Sequence, residues 1–360
     1  MSYLVSVVVP TKNRYKYLKY LIQLIDSFKL PELEFVIQDN SDDNTEIVEY
    51  LKAFPSPDIK YYYSNEPLTM SGNGELAIKN STGEYVCYIG DDDGVCRNIV
   101  DWVKWMKENN VKAIYNQNNV FYRWGGKAKV MAPYKGIIKH NSSKEIDKLL
   151  RRGMCLAKTS LPMLYHGIVR RDVLDGIIQK IGTLFPSVPP DISGSICLAY
   201  NIDEYYEIRT PIIINGASAM TGGGVIQQGG VLALSDVPFI NEKDIEEWEP
   251  SIPPLWCGNY AWAESGIKTL KKLGKDEKLK GFDVDYCLAT AVALRPNKSL
   301  LRKMGWKYSK NKIRYLLFVV ALIFDKYYVK LKNNIPFLVK QSKNKRTIVD
   351  AELFFTNTCK

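Results

Sequence analysis

The sequence predicts an α/β protein built on a mostly parallel central sheet flanked by helices. Three observations predict it. Short β-branched runs alternate with stretches of helical periodicity through the first 116 residues. A polar cluster follows the carboxyl end of nearly every run, and the basic residues collect beyond position 295.

Residues 4–9 are apolar, rich in valine and closed by Pro10, as in a buried strand. Leu18, Leu21, Ile22, Leu24 and Ile25 then recur at helical spacing. A second strand at 35–38 runs into Asp39-Asn-Ser-Asp-Asp-Asn, where Ser41 or Asn44 can cap a helix carrying Ile47, Val48 and Leu51. Strands at 59–63, 85–89 and 113–115 follow, separated by helices at 74–80 and 99–108. Such β-α-β alternation builds parallel sheets with both faces covered. Later the pattern loosens: strands are expected at 120–122, 163–169 and 207–214, and helices at 192–198 and 256–273. The chain divides into 1–116, 117–230, a helical or loop extension at 231–295, and a basic, partly apolar tail at 296–360.

Composition sets the class. Hydrophobic residues make up 46% of the 360 and charged ones 24%, the balance of a folded protein. The net charge of +10 is uneven: residues 295–346 hold 15 Lys and Arg against the single acid Asp325, so the body is slightly acidic. Seven cysteines without a CxxC pair and only two histidines exclude a zinc site of paired ligands. The opening Met-Ser-Tyr-Leu-Val-Ser lacks a charged leader, so no signal peptide is expected and a reduced, cytoplasmic chain is.

The sharpest local feature is Tyr85-Val-Cys-Tyr-Ile-Gly-Asp-Asp-Asp-Gly94, a strand that delivers three carboxylates to a turn. Like charges so close repel, and a hard divalent cation such as Mg²⁺ or Mn²⁺ relieves them while leaving room for phosphate oxygens. The alternative is a solvated acidic turn. In open α/β sheets ligands bind beyond the carboxyl ends of the strands. Thr11–Arg14, Asp39–Asp43, Asn65 and Asp91–Asp93 all fall there.

Taken together, Val7-Val-Val-Pro-Thr-Lys-Asn-Arg14, Val36-Ile-Gln-Asp-Asn-Ser-Asp43, Ser71-Gly-Asn-Gly-Glu75, Gly83-Glu-Tyr85 and Ile89-Gly-Asp-Asp-Asp-Gly94 resemble the family 2 glycosyltransferases of GT-A fold. Tyr165-His-Gly-Ile-Val-Arg-Arg171 and Pro189-Pro-Asp191 resemble the acceptor half more loosely. The resemblance implies an enzyme that moves a sugar from a nucleoside diphosphate, commonly UDP, to an acceptor hydroxyl with inversion. Pro10, Thr11, Asn13, Arg14, Asp39, Asn73, Asp91 and Asp92 would hold the nucleotide sugar. Asp93 would bind Mn²⁺ or Mg²⁺ directly, with Asp91 near the ribose and the metal's waters. Gln38 and Asn40 depart from the usual family residues around Asp39. Arg14 or the glycines at 222–224 could cover the phosphates. Asp191 would be the catalytic base, with Asp203 and Glu204 as alternatives, and His166 would shape the acceptor pocket.

In the tail, residues 315–324 are continuously apolar, short of the ~20 needed to span a bilayer. Arg302, Lys303, Lys307, Lys310, Lys312 and Arg314 precede them, and Lys326, Lys330 and Lys332 follow. That pattern suits docking on an anionic membrane at the cytoplasmic face. A core or oligomer-interface helix is the alternative. Nucleic acid is not expected, because the body is acidic and no recognition module is present. The expected acceptor is a glycan or lipid-linked glycan in cell-surface polysaccharide assembly. The rival readings are a nucleotidyltransferase, which usually carries a glycine-rich loop after the first strand, and a non-catalytic scaffold.

Overall fold

The computed structural model describes residues 3–116, 120–131, 135–218, 231–237, 240, 242–295, 299–332 and 339–358. The first strands, β1 (Val5–Thr11) and β2 (Leu33–Asp39), are buried almost throughout, which is why their sequences read as near-continuous apolar runs. Between them α1 (Tyr15–Phe28) lays Leu18, Leu21, Ile22, Leu24 and Ile25 on the sheet and stops at Lys29 in the left-handed region. Next come α2 (Thr45–Leu51), β3 (Ile59–Tyr63), α3 (Met70–Lys79), β4 (Tyr85–Tyr88), β5 (Gly94–Val95), α4 (Ile99–Glu108) and β6 (Ala113–Asn116).

The second half supplies β7 (Val120–Arg123), β8 (Gly126–Met131), β9 (Ile137–Asn141), α5 (Ser142–Arg151), β10 (Gly167–Arg170), α6 (Arg171–Ile181) and α7 (Pro190–Ala199). After these lie β11 (Glu204–Ile208), β12 (Ile213–Ala217), β13 (Leu232–Ala233), α8 (Glu242–Glu246), β14 (Leu255–Trp256), α9 (Gly258–Lys272) and α10 (Val284–Leu294). The tail contributes α11 (Ser299–Tyr308), α12 (Lys312–Lys332), β15 (Val339–Lys345) and α13 (Ile348–Thr358).

Eight strands form the central sheet in the order β3-β2-β1-β4-β10-β6-β11-β9. Its first four strands are mutually parallel, and β10 enters antiparallel to both β4 and β6. This is the GT-A-type α/β architecture expected, with the tail mainly helical. A smaller sheet, β15-β8-β7-β12-β5, stands beside it.

Several local expectations needed correction. The single strand expected at 207–214 is two strands in different sheets, because Pro211 cannot donate to a ladder. Asn116 staples the break: its amide nitrogen donates to the carbonyls of Ile208 and Thr210, and its Oδ1 accepts from Ile212 and Ile213 N–H. The strand expected at 163–169 is only β10, since His166 adopts φ 63° just before it. Neither Ser41 nor Asn44 caps α2; Asp43 Oδ1 accepts from Thr45 N–H at 2.9 Å instead. Helix α3 begins earlier than expected, with Thr69 as its N-cap accepting from Gly72 N–H.

Three apolar clusters fill the interior. One lies between α1, α4 and the parallel strands, and includes Ile348, Ala351 and Phe355 of α13. A second is built by α5, α7, α9, α10 and one face of α12. The third lies on the opposite face of the main sheet, around Val8, Val86, Tyr88 and Leu174.

Candidate active site

Strand β4 ends at Tyr88, and the chain turns through Gly90 to present Asp91, Asp92 and Asp93, all nearly buried. Three neighbours shape that turn. Thr11, at the end of β1, donates its hydroxyl to Asp91 Oδ2 at 2.7 Å. Arg14 reaches Asp92 Oδ2 at 2.9 Å and lies 3.1 Å from Asp91 Oδ1. The end of β12 supplies backbone: Gly216 N–H donates to Asp93 Oδ1 at 2.7 Å and Ser218 N–H to Asp92 Oδ2 at 3.1 Å. A Cβ on Gly216 would lie 1.7 Å from the Asp92 carbonyl oxygen, so only glycine permits this approach.

Asp93 is the most fully engaged carboxylate of the three. Besides Gly216 it accepts from Gly90 N–H at 2.8 Å, Tyr165 hydroxyl at 2.9 Å and His166 Nε2 at 2.7 Å. Burial works against its anion, but His166 and the two backbone N–H groups hold its carboxyl below the usual range. Burial pushes Asp91 up to about 7, with Arg14 opposing the rise. Asp92 is raised too, by burial and by Asp93.

The donor set decides how a divalent cation would fit. Among the described residues no group of three or more His, Cys, Asp or Glu is arranged to hold a metal ion. Three donors converge on Oδ2 of Asp93, while Gly216 N–H is the one donor to its Oδ1 among the described residues. Asp91 Oδ1, by contrast, is buried and accepts no hydrogen bond, since Arg14 Nε meets it out of alignment. Arg14 and Ser218 both contact Oδ2 of Asp92, leaving Oδ1 open among the described residues. One or two carboxylates completed by substrate phosphates suffice for Mg²⁺. A divalent cation at Asp91 and Asp92 would share these carboxylates with Arg14.

The remaining expected residues line the same rim. Asp39 is fully buried and accepts from the hydroxyls of Tyr15 and Tyr61, both at 2.7 Å, and from Ser41 N–H at 2.8 Å. Asn13 takes φ 57° and exchanges hydrogen bonds with Asp42 through both ends of its amide. Asn40 ties the β2 end to Ser64, Glu66 and Leu68. Asn73 donates to the Thr11 carbonyl at 3.2 Å, while its buried Oδ1 has no hydrogen-bond partner. Pro10 closes β1 beside them.

Asp191 sits in the first turn of α7, where Pro190 at the first helical position leaves no N–H to satisfy. Ile192 N–H donates to its Oδ1 at 2.8 Å and Trp262 Nε1, from α9, to its Oδ2 at 3.0 Å. Its carboxyl keeps some solvent contact, yet the surrounding protein raises its pKa against the pull of Ile192, Trp262 and the nearby His166. Of the alternatives, Glu204 lies exposed on β11 and pairs with Lys139, and Asp203 contributes a carbonyl to Ser142 N–H. The glycines at 222–224 lie outside the described residues. The contributions of Tyr165, Trp262 and Gly216 were missed in the sequence, and His166, expected to shape the acceptor pocket, meets Asp93. A histidine inside Tyr-His-Gly was the one available signal.

An alternating sheet with carboxylates clustered beyond its parallel strands places the candidate site where α/β proteins bind ligands. Residues 6–156 match the family described as Glycosyl transferase family 2. It is 33% identical over 91 residues to the GalNAc(5)-diNAcBac-PP-undecaprenol beta-1,3-glucosyltransferase of Campylobacter jejuni. That alignment covers 24% of this chain and 29% of the relative, so the chain spans less than a third of that protein's length. Solved structures with similarity include Staphylococcus aureus TarS 1-349 in complex with UDP-GlcNAc (15% identity, 95% of this chain, 97% of that one, TM-score 0.47). Another is the mannosyltransferase PcManGT of Pyrobaculum calidifontis with GDP-Man and Mn2+ (16% identity, 93% and 89%, TM-score 0.40).

Proposed function

We propose that the protein is an inverting glycosyltransferase that moves a sugar from a nucleoside-diphosphate donor, UDP-linked, to the hydroxyl of a glycan or lipid-linked glycan in cell-surface polysaccharide assembly. The observation that carries this reading is the joining of Thr11 and Arg14, at the end of β1, to Asp91 and Asp92 at the end of β4. The relative from Campylobacter jejuni, named for an undecaprenol-linked acceptor, supports the acceptor class.

In this reading Asp39, Asn13 and Asn73 surround the nucleoside, and Arg14 faces the diphosphate. A divalent cation held at Asp91 and Asp92 would offset charge on the departing diphosphate. Asp191 removes the acceptor proton as the new glycosidic C–O bond forms and the bond to the diphosphate breaks. Trp262 and Ile192 fix the carboxylate that does this.

Calorimetric titration of the full chain with UDP, with and without Mn²⁺, tests the donor site, and release of free nucleoside diphosphate from a donor panel tests transfer. Metal-strengthened UDP binding that is lost in Asp92→Ala is expected. Binding indifferent to both the cation and Asp92→Ala would refute the site.

A further inference from the structure

Helix α12 has two apolar faces. One, with Tyr315, Phe318, Val319, Leu322 and Ile323, packs into the second core. The other presents Ile313, Leu317, Val320, Phe324, Tyr328 and Leu331, which recur at helical spacing and share one side. Among the described residues no neighbour covers them: Ile313 is 74% exposed, Phe324 71% and Leu331 69%. The helix is not apolar enough to cross a membrane. At 100° per residue, Arg314 and Lys332 fall along one edge of the exposed stripe and Lys312 and Lys330 along the other.

Beside the Arg314 edge opens a cavity of about 480 Å³, lined by Lys148, Arg151, Arg152 and Arg314 around Tyr286 and Phe318. Asp283 engages Arg314, and Glu145 engages Lys148. Among the described residues Arg151 and Arg152 have no carboxylate partner. They stand where α5 ends, and the carbonyl end of a helix favours cations without neutralising them. A concave site with two unpaired guanidinium groups is suited to phosphate oxygens, which arginine binds in a bidentate fork.

We infer that the outward face of α12 and this basic cavity form one surface for an anionic phospholipid bilayer, with a lipid phosphate headgroup seated between Arg151, Arg152 and Arg314. Charge complementarity selects this occupant. A stripe edged by cations on both sides lies in the headgroup plane with its apolar residues toward the acyl chains. The inference rests on the lipid-linked acceptor proposed above but shares no residue with that site.

The test is co-sedimentation of the full chain with phosphatidylglycerol and with phosphatidylcholine vesicles, alongside UDP titration of the same preparations. Point variants are needed, because residues 348–358 help fill the first core. Expected are partitioning to phosphatidylglycerol that weakens with salt, a fall of about tenfold or more in the Arg151→Glu, Arg152→Glu double variant, and a comparable fall in Leu317→Asp. UDP affinity should be unchanged in all of them. Equal partitioning to both vesicle types, or no effect of the double variant, overturns the inference. So does a stable dimer that ignores vesicles and dissociates in Leu317→Asp, which would make the stripe an interface between copies. Loss of UDP binding in the unaltered chain with vesicle binding intact would overturn the donor reading alone.

Discussion

His166 Nε2 lies 2.7 Å from Oδ2 of Asp93, joining two residues 73 positions apart. Tyr165 reaches the same oxygen, and its ring stacks on the imidazole at 4.0 Å. The pair comes off the turn before β10, the strand that reverses the direction of the main sheet. Asp93 thereby ties the half built on the parallel strands to the half that carries Asp191.

Asp93→Asn should act mainly through stability. The amide presents N–H where Asp93 accepts four donors, leaving buried groups unpaired. A loss of about 3 kcal/mol is expected. Urea denaturation measures it. An unchanged midpoint would show that the four-donor arrangement contributes nothing.

Asp191→Asn keeps the size of the side chain but cannot accept a proton. A fall in kcat of roughly a hundredfold is expected, with little change in UDP affinity. The pH profile adds a signature. Because the protein raises the Asp191 pKa, the acidic limb of kcat should lie at higher pH than for an ordinary carboxylate, with activity falling as pH drops through that value. Survival of that limb in any residual activity of Asp191→Asn would assign it to another group.

Glu34 offers a test of the fold apart from catalysis. Fully buried in β2, it accepts from Ser6 Oγ at 2.5 Å and Gly83 N–H at 2.9 Å, and pairs with Lys60, so it binds β1, β3 and the turn before β4. Burial works to raise its pKa, but Lys60, Ser6, Thr82 and Gly83 prevail and hold it below the usual value. A depressed folded pKa means stability present above the unfolded value of about 4.3 and lost as pH falls through the folded one. Glu34→Gln should lower the melting temperature at pH 7 and flatten its decline toward pH 3. A variant melting like the unaltered chain at both pH values would dismiss the node.

The parallel half was legible because its strands are buried on both faces, and burial writes itself as runs such as Val7-Val-Val. The Asp triplet was legible because three adjacent carboxylates demand compensation. Their separate surroundings were not. His166 and Gly216, which both meet Asp93, reach the turn only through folding. Met-Ser-Gly-Asn-Gly hid the start of α3, since two glycines mask a helix that Thr69 caps. The apolar run at 315–324 likewise revealed a helix, but not that its two faces have different fates.

Helix α13 has a consequence for how the protein comes into being. Ile348 and Phe355 are as deeply buried as any residue of β1, and Glu352 accepts from Arg97 N–H. Strand β15 meanwhile extends the small sheet through β8. A nascent chain emerges with its first residue leading, so the half built on the parallel strands leaves the ribosome without the side chains of α13 that fill its core. Until they arrive, the apolar side of α1 and β5 waits in water, and a chain stalled shortly before them presents that surface to chaperones and proteases. Synthesis through α13 is thus a condition for closing the first core.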